Sequence, residues 1–140
     1  MVYLEFVVIG APLTNQQSTP QGRANLATWR AAVVACVKAV WNQAPLTVDL
    51  KAIIINFFDS NQPSLDLDNM SKPILDSMEG IVYVDDRQIR QAELTHVPID
   101  APFVFVGVSP VIGAAVQAGK GFVYVRIEDP VVPFPLPKET

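Results

Sequence analysis

The sequence predicts an α/β (α+β) fold, a small single domain in which a mixed β-sheet packs against two or three helices. Three observations carry this. Leu26, Trp29, Val33, Cys36, Val37, Val40 and Trp41 recur at steps of three and four, the period of an amphipathic helix. Apolar, β-prone runs at residues 2–9, 46–58 and 122–127 read as strands. Between the last two, residues 65–91 read as a strand end, a short helix, a strand and an acidic pair. At 140 residues the chain has room for one domain with a real core. Half its residues are hydrophobic and only 17% are charged, which excludes a disordered chain.

In chain order, residues 2–9 form the first strand, and residues 11–23, with two prolines and a polar make-up, a loop. The spacing predicts a helix over residues 25–42, ended by Pro45, with Trp29 and Trp41 in the core. Residues 46–58 follow as a long strand, and Ile53-Ile54-Ile55 within it implies burial on both faces. Beyond the acidic unit, residues 87–97 are strand-like and residues 102–108 a further short strand. Ser109-Pro110 has the chemistry of a helix start, and Gly119 closes that helix before the last strand. The domain is expected to span residues 1–129. Residues 130–140 hold four prolines and form an extended tail packed on the surface or on a partner subunit.

The chemistry concentrates in residues 65–91. Asp66, Asp68, Asp76, Asp85 and Asp86 fall within twenty-one residues. If the chain enters as a strand, Asp66 and Asp68, at i and i+2, share one face. Asn69, Ser71 and Pro73 supply helix-start residues, Ile74, Leu75 and Met78 an apolar stripe, and Gly80 a stop. Residues 81–84 then read as a strand delivering Asp85 and Asp86. Two pairs of carboxylates meeting at one point suit Mg²⁺ or Mn²⁺, which take oxygen ligands and leave positions open for phosphate. Lys72 is placed to offset negative charge on that phosphate. An N-capped helix flanked by solvated acids accounts for the same pattern about equally well.

The series Asp66-Leu67-Asp68-Asn69, Lys72, Asp76 and Asp85-Asp86 resembles the RusA family of Holliday-junction resolvases, whose pattern is D-x-D-N, a lysine three residues on, an aspartate four after that and D-D about ten later. The resemblance implies a small α/β homodimer that uses Mg²⁺ to cut four-way DNA junctions. It implies metal-binding and catalytic roles for Asp66, Asp68 and Asp86, a need for Lys72 in cleavage, and a secondary metal role for Asp85. Arg23, Arg30, Arg87 and Arg90 are candidate DNA-phosphate contacts. For Arg23 and Arg30 a solvated helix position is the commoner explanation, and Arg87 and Arg90 have Asp85 and Glu93 as alternative partners. Residues 59–64 contain no Lys or Arg, where family members generally carry a basic run.

The net charge of −4 runs against the usual basic face of a DNA-binding protein, although metal ions in the acidic cluster would offset part of it. His96 is the only histidine, which excludes a His-rich zinc site and makes a structural role its default. No phosphate-cradling glycine motif is present, so no nucleotide cofactor is expected. No apolar run is long enough for a membrane helix, and no basic segment precedes the first strand as in a signal peptide. With Cys36 as the single cysteine, a reduced cytoplasmic setting is expected. Three functions follow. The first is a metal-dependent endodeoxyribonuclease that resolves junctions by paired symmetric nicks in recombination and repair. The second is a two-carboxylate acid/base hydrolase such as a glycosidase. The third is a catalytically weak or inactive RusA-like nucleic-acid-binding or interaction module.

Overall fold

The computed structural model describes residues 1–61, 65–100 and 107–140. Residues 102–106 of the strand expected over 102–108, and residues 62–64, lie outside these residues, while Gly107 and Val108 are not in a strand. Four strands, β1 (Val2–Ile9), β2 (Leu50–Phe58), β3 (Ile89–Pro98) and β4 (Phe122–Glu128), form one mixed sheet in the order β1-β4-β2-β3. β4 is antiparallel to both β1 and β2, whereas β2 and β3 are parallel. A parallel pair needs a crossover, and here it contains helix α2 (Leu67–Met78). Helices α1 (Pro20–Val40) and α3 (Pro110–Gln117) complete the α+β domain.

Side-chain alternation decides which helix covers which face. Leu4, Phe6 and Val8 of β1, Leu50, Ala52 and Ile54 of β2, and Val123, Val125 and Ile127 of β4 point to one side. There they meet Trp29, Val33 and Val37 of α1 and Met70, Ile74 and Met78 of α2, each set spaced i, i+4, i+8. On the opposite face Phe57, Phe122 and Tyr124 pack with Ile112 and Ala115 of α3, and the Phe57 and Phe122 rings stack at 4.5 Å. Beyond the reach of α3 that face is polar. Lys51, almost buried, lies 2.7 Å from Glu93 and 3.8 Å from Glu128. Glu5 accepts hydrogen bonds from Ser109 and Tyr124 and pairs with Arg126.

The expected third helix is found: Ser109 caps α3 by accepting from the Val111 N–H, and Gly119 follows with a positive φ of 70°. Other boundaries differ from expectation. α1 begins at Pro20, since Thr19 accepts from the Gly22 N–H at 2.9 Å and Pro20 occupies the first helical position. β2 begins at Leu50 rather than residue 46, and Leu46 makes only an isolated bridge to Tyr83. α2 begins at Leu67, so Asn69 and Ser71 are helical rather than caps, and Pro73 lies inside the helix. Burying Met70 in register with Ile74 and Met78 requires helix before Met70 and so moves the start upstream. Residues 81–84 are a turn, not a strand: Gly80, at φ 84°, donates to the Tyr83 carbonyl at 2.7 Å. Ile81 and Val82 there serve burial while Val84 is exposed, and the Leu46 N–H bonds to the Val82 carbonyl at 2.7 Å.

After β4 the chain runs extended along the β3 side of the sheet. The Gln91 side chain accepts from the Val131 N–H at 2.8 Å and donates to the Val131 carbonyl at 3.0 Å, and the Arg90 guanidinium lies over the Phe134 ring at 5.9 Å. Among the described residues no helix is long and apolar enough to cross a membrane.

Because Ile74 is fully buried where α2 meets the sheet, Ile74→Ala should cost about 2–5 kcal/mol of stability, read from the shift in urea midpoint at unchanged m-value.

Candidate metal and nucleic-acid site

Helix α2 presents its polar stripe opposite its buried one. Asp68, Lys72, Asp76 and Glu79 follow at intervals of four, four and three, which keeps them on one face from the first turn to the C-cap. Lys72 donates to Asp76 at 2.8 Å, and Arg30 approaches the same carboxylate from α1 at 3.6 Å while holding Asn15 at 2.6 Å. The hydrogen bond to Asp76 raises the Lys72 pKa, with smaller contributions from the charges of Asp76, Asp86 and Glu79. Two cations thus share one carboxylate.

The turn after α2 folds the chain back so that Asp85 and Asp86 reach Glu79. Oxygen atoms of these three carboxylates lie within 4.8 Å of one another. The Asp86 N–H donates to Glu79 Oε1 at 3.1 Å, tying the two ends of the turn together. Tyr83 anchors the turn from beneath, donating its hydroxyl to the Leu75 carbonyl at 2.6 Å. Burial raises the Tyr83 pKa, and the charges of Glu79, Asp86 and Asp76 raise it further.

A short 3-10 turn, Asp86–Gln88, follows and is closed by a capping box. Gln88 accepts from the Val84 and Asp85 N–H groups at 3.0 and 2.9 Å and donates to the Leu46 and Val48 carbonyls. One amide therefore clamps the acidic turn to the segment before β2. Asp85 accepts from the Arg87 backbone N–H at 2.8 Å and from its guanidinium at 3.1 and 3.0 Å. That side-chain hydrogen bond, then the backbone one, hold the Asp85 carboxyl down to about 2.

Asp85 and Asp86 are thus brought together with Glu79, while Asp66 and Asp68 stand toward the other end of the helix. Twelve residues at 1.5 Å each make α2 roughly 18 Å long. Asp66 is the N-cap residue but makes no side-chain capping bond, and Asp68 lies in the first turn. The helix starts between them, so they do not share a strand face. Both carboxylates are exposed and sit at the positive end of the helix dipole. The donor set of Glu79, Asp85 and Asp86 is entirely carboxylate oxygen, which fits a hard divalent cation and not a thiophilic one.

Of the candidate phosphate contacts, Arg30 and Lys72 join the stripe through Asp76. Arg23 lies seven residues before Arg30 on the same side of α1, exposed and without an ion pair among the described residues. Arg87 is engaged by Asp85, and Arg90 lies 3.8 Å from Asp49 and not near Glu93, which pairs with Lys51. Sequence reasoning missed Glu79 and Gln88. Glu79 is legible as the residue three after Asp76 on one helical face and Gln88 as the close of a D-x-x-Q capping box opened by Asp85, whereas the Gln88 bonds to Leu46 and Val48, some forty residues away, leave no local signal.

Removing the guanidinium in Arg87→Ala should return the Asp85 carboxyl toward its ordinary 3.8, as followed by NMR titration. The sign follows from linkage: a depressed folded-state pKa stabilises above 3.8, and that contribution disappears as the pH falls through about 2. The variant should therefore lose part of the pH dependence of stability between those limits.

A family model described as endodeoxyribonuclease RusA matches residues 13–109, from the loop before α1 to the cap of α3. No curated protein matches the sequence. The matched segment covers well over half of the chain and contains the whole acidic turn, the α2 stripe and the α1 arginines, and the chain belongs to the RusA family of endodeoxyribonucleases.

Proposed function

We propose that the protein is a Mg²⁺-dependent, structure-selective endodeoxyribonuclease that resolves four-way DNA junctions by paired symmetric nicks, with Mn²⁺ able to replace Mg²⁺. The observation that carries this reading is the convergence of Glu79, Asp85 and Asp86 beside the Lys72–Asp76–Arg30 group, within a chain of an endodeoxyribonuclease family. In the reading, Glu79, Asp85 and Asp86 would hold a metal at the turn, and Asp66 and Asp68 would supply metal-binding carboxylates nearer the start of α2. A bound divalent ion supplies a more acidic water and a counter-charge for the phosphate.

This chain's own residues do the rest. Hydrolysis joins a water oxygen to phosphorus, breaks the P–O3′ bond and delivers a proton to the departing 3′-oxygen. Lys72, more than half exposed, swings on a flexible stem and meets the charge that grows on the phosphoryl oxygens. Arg30, Lys72 and Asp76 sum to one positive charge, so a DNA phosphate can take Lys72 while Asp76 keeps Arg30. Arg23 extends the basic side of α1 toward a second phosphate, and Arg87 and Arg90 flank the acidic turn. Two identical sites in a C2 homodimer match the symmetry of paired incisions. A reduced cytoplasmic compartment suits the single free cysteine, Cys36.

The test is nicking of a labelled immobile four-way junction in Mg²⁺, with duplex and single strands as controls. Wild type should place symmetric nicks near the branch. Asp68→Asn and Asp86→Asn should abolish them, and Lys72→Ala should slow them by ~10²–10³-fold with junction binding retained. Flap or fork cleavage without junction cleavage would move the substrate. No cleavage in Mg²⁺ or Mn²⁺ would leave a binding module in place of an enzyme.

A further inference from the structure

The residue that precedes Asp66 is held from across the sheet by a side chain outside the acidic unit. His96, on β3, stands beside Asn56 of β2 in the parallel register, on the face that carries α1 and α2. Its Nε2 lies 2.7 Å from the Leu65 carbonyl oxygen, and its Nδ1 lies 3.2 Å from Asn56 Nδ2. A carbonyl only accepts, so Nε2 carries the proton. In the neutral ring Nδ1 then accepts from the Asn56 amide. Asn56 is almost buried, and the Phe58 ring meets the imidazole edge-on at 6.1 Å. The imidazole is therefore fixed from two sides, and its free donor is spent on the backbone one residue before the cap of α2.

The geometry points to His96, supported by Asn56, as a positioning residue for the D-x-D pair. The tether fixes where the chain enters α2 and so where Asp66 and Asp68 project. Asp66 has no capping bond of its own, and Lys72 and Asp76, further along the stripe, engage each other and Arg30 rather than the first turn. The start of the helix is otherwise anchored by its apolar side, Leu65 and Met70, which sets depth in the core but not the direction of the carboxylates. The His96 bond is a polar link between the sheet and this entry point. The inference rests on the metal role proposed above for Asp66 and Asp68.

The test compares wild type with His96→Leu, which fills space without a donor, and His96→Gln, whose Nε2 stands the same number of bonds from Cβ. Each full-length protein is first checked for an unchanged unfolding midpoint. If the Leu variant does not fold, His96→Asn, too short to reach Leu65, takes its place. Hydrogen exchange of the metal-free, DNA-free protein should show the Met70 amide, which closes the first turn of α2 on the Asp66 carbonyl, exchanging ~10-fold faster in the Leu variant, with β2 and β4 unchanged. Calorimetric Mn²⁺ affinity and junction nicking should both fall ~10–100-fold. The Gln variant should stay close to wild type in all three. Unchanged first-turn exchange, unchanged Mn²⁺ affinity in the Leu variant, or a Gln variant as impaired as Leu would each overturn the positioning role. If wild type neither binds Mn²⁺ nor cuts DNA, the nuclease reading fails, and this role for His96 fails with it. A wild type that cuts, inactive with Asp68→Asn and unaffected by His96→Leu, would sink this inference alone.

Discussion

The rotational setting of α2 governs the rest of the molecule. Met70, Ile74 and Met78 are fully buried against the sheet, and together they fix which side of the helix is free. Displacing a buried side chain of this size costs several kcal/mol, far more than any exposed ion pair on the opposite side returns. The polar stripe from Asp68 to Glu79 is therefore placed by the core and not by its own electrostatics. The turn that follows inherits this setting: Tyr83 is buried under the helix end, and Asp85 and Asp86 come round to Glu79 as a consequence.

Much of this was legible in the sequence. The helical period around Trp29, the apolar run through Ile54 and the Ser109-Pro110 cap all mark elements that form, because each depends on near neighbours in the chain. The acidic unit was legible as a cluster but not as a geometry. Asp66, Asn69 and Ser71 are all competent N-caps, and only tertiary burial of Met70 decides among them. Residues 81–84 carry strand-forming side chains yet lie between a left-handed glycine and a capping aspartate, too short to extend a sheet. The membership of the cluster changed for a similar reason. Glu79 enters because the turn reverses direction immediately after it, and the sense of a reversal is not written in any single residue.

Charge shows how composition misleads about surfaces. Six of the ten basic residues (Arg30, Lys51, Lys72, Arg87, Arg90 and Arg126) make ion pairs within the chain. Lys51 and Arg126 pair with Glu5, Glu93 and Glu128 on the sheet face away from the acidic turn, a structural network on strands with one negative charge left over. On the helical face the pairs are exposed and exchangeable, and such pairs are weak enough for a polyanion to compete with them. Salt concentration should thus weigh on any DNA contact at this face more than the overall acidity does.

The extended C-terminal segment has a consequence for assembly. Among the described residues the four-stranded sheet is bordered by β1 and β3, and an open border invites another chain to pair with it. At Gln91 the side-chain amide satisfies both backbone groups of Val131, imitating a strand-to-strand rung with a side chain in place of main chain. Arg90 over Phe134 fastens the segment a little further on. The start of the β3 border is in this way occupied by the protein's own chain. Another chain that continued the sheet along β3 from Arg90 and Gln91 would first have to displace this segment.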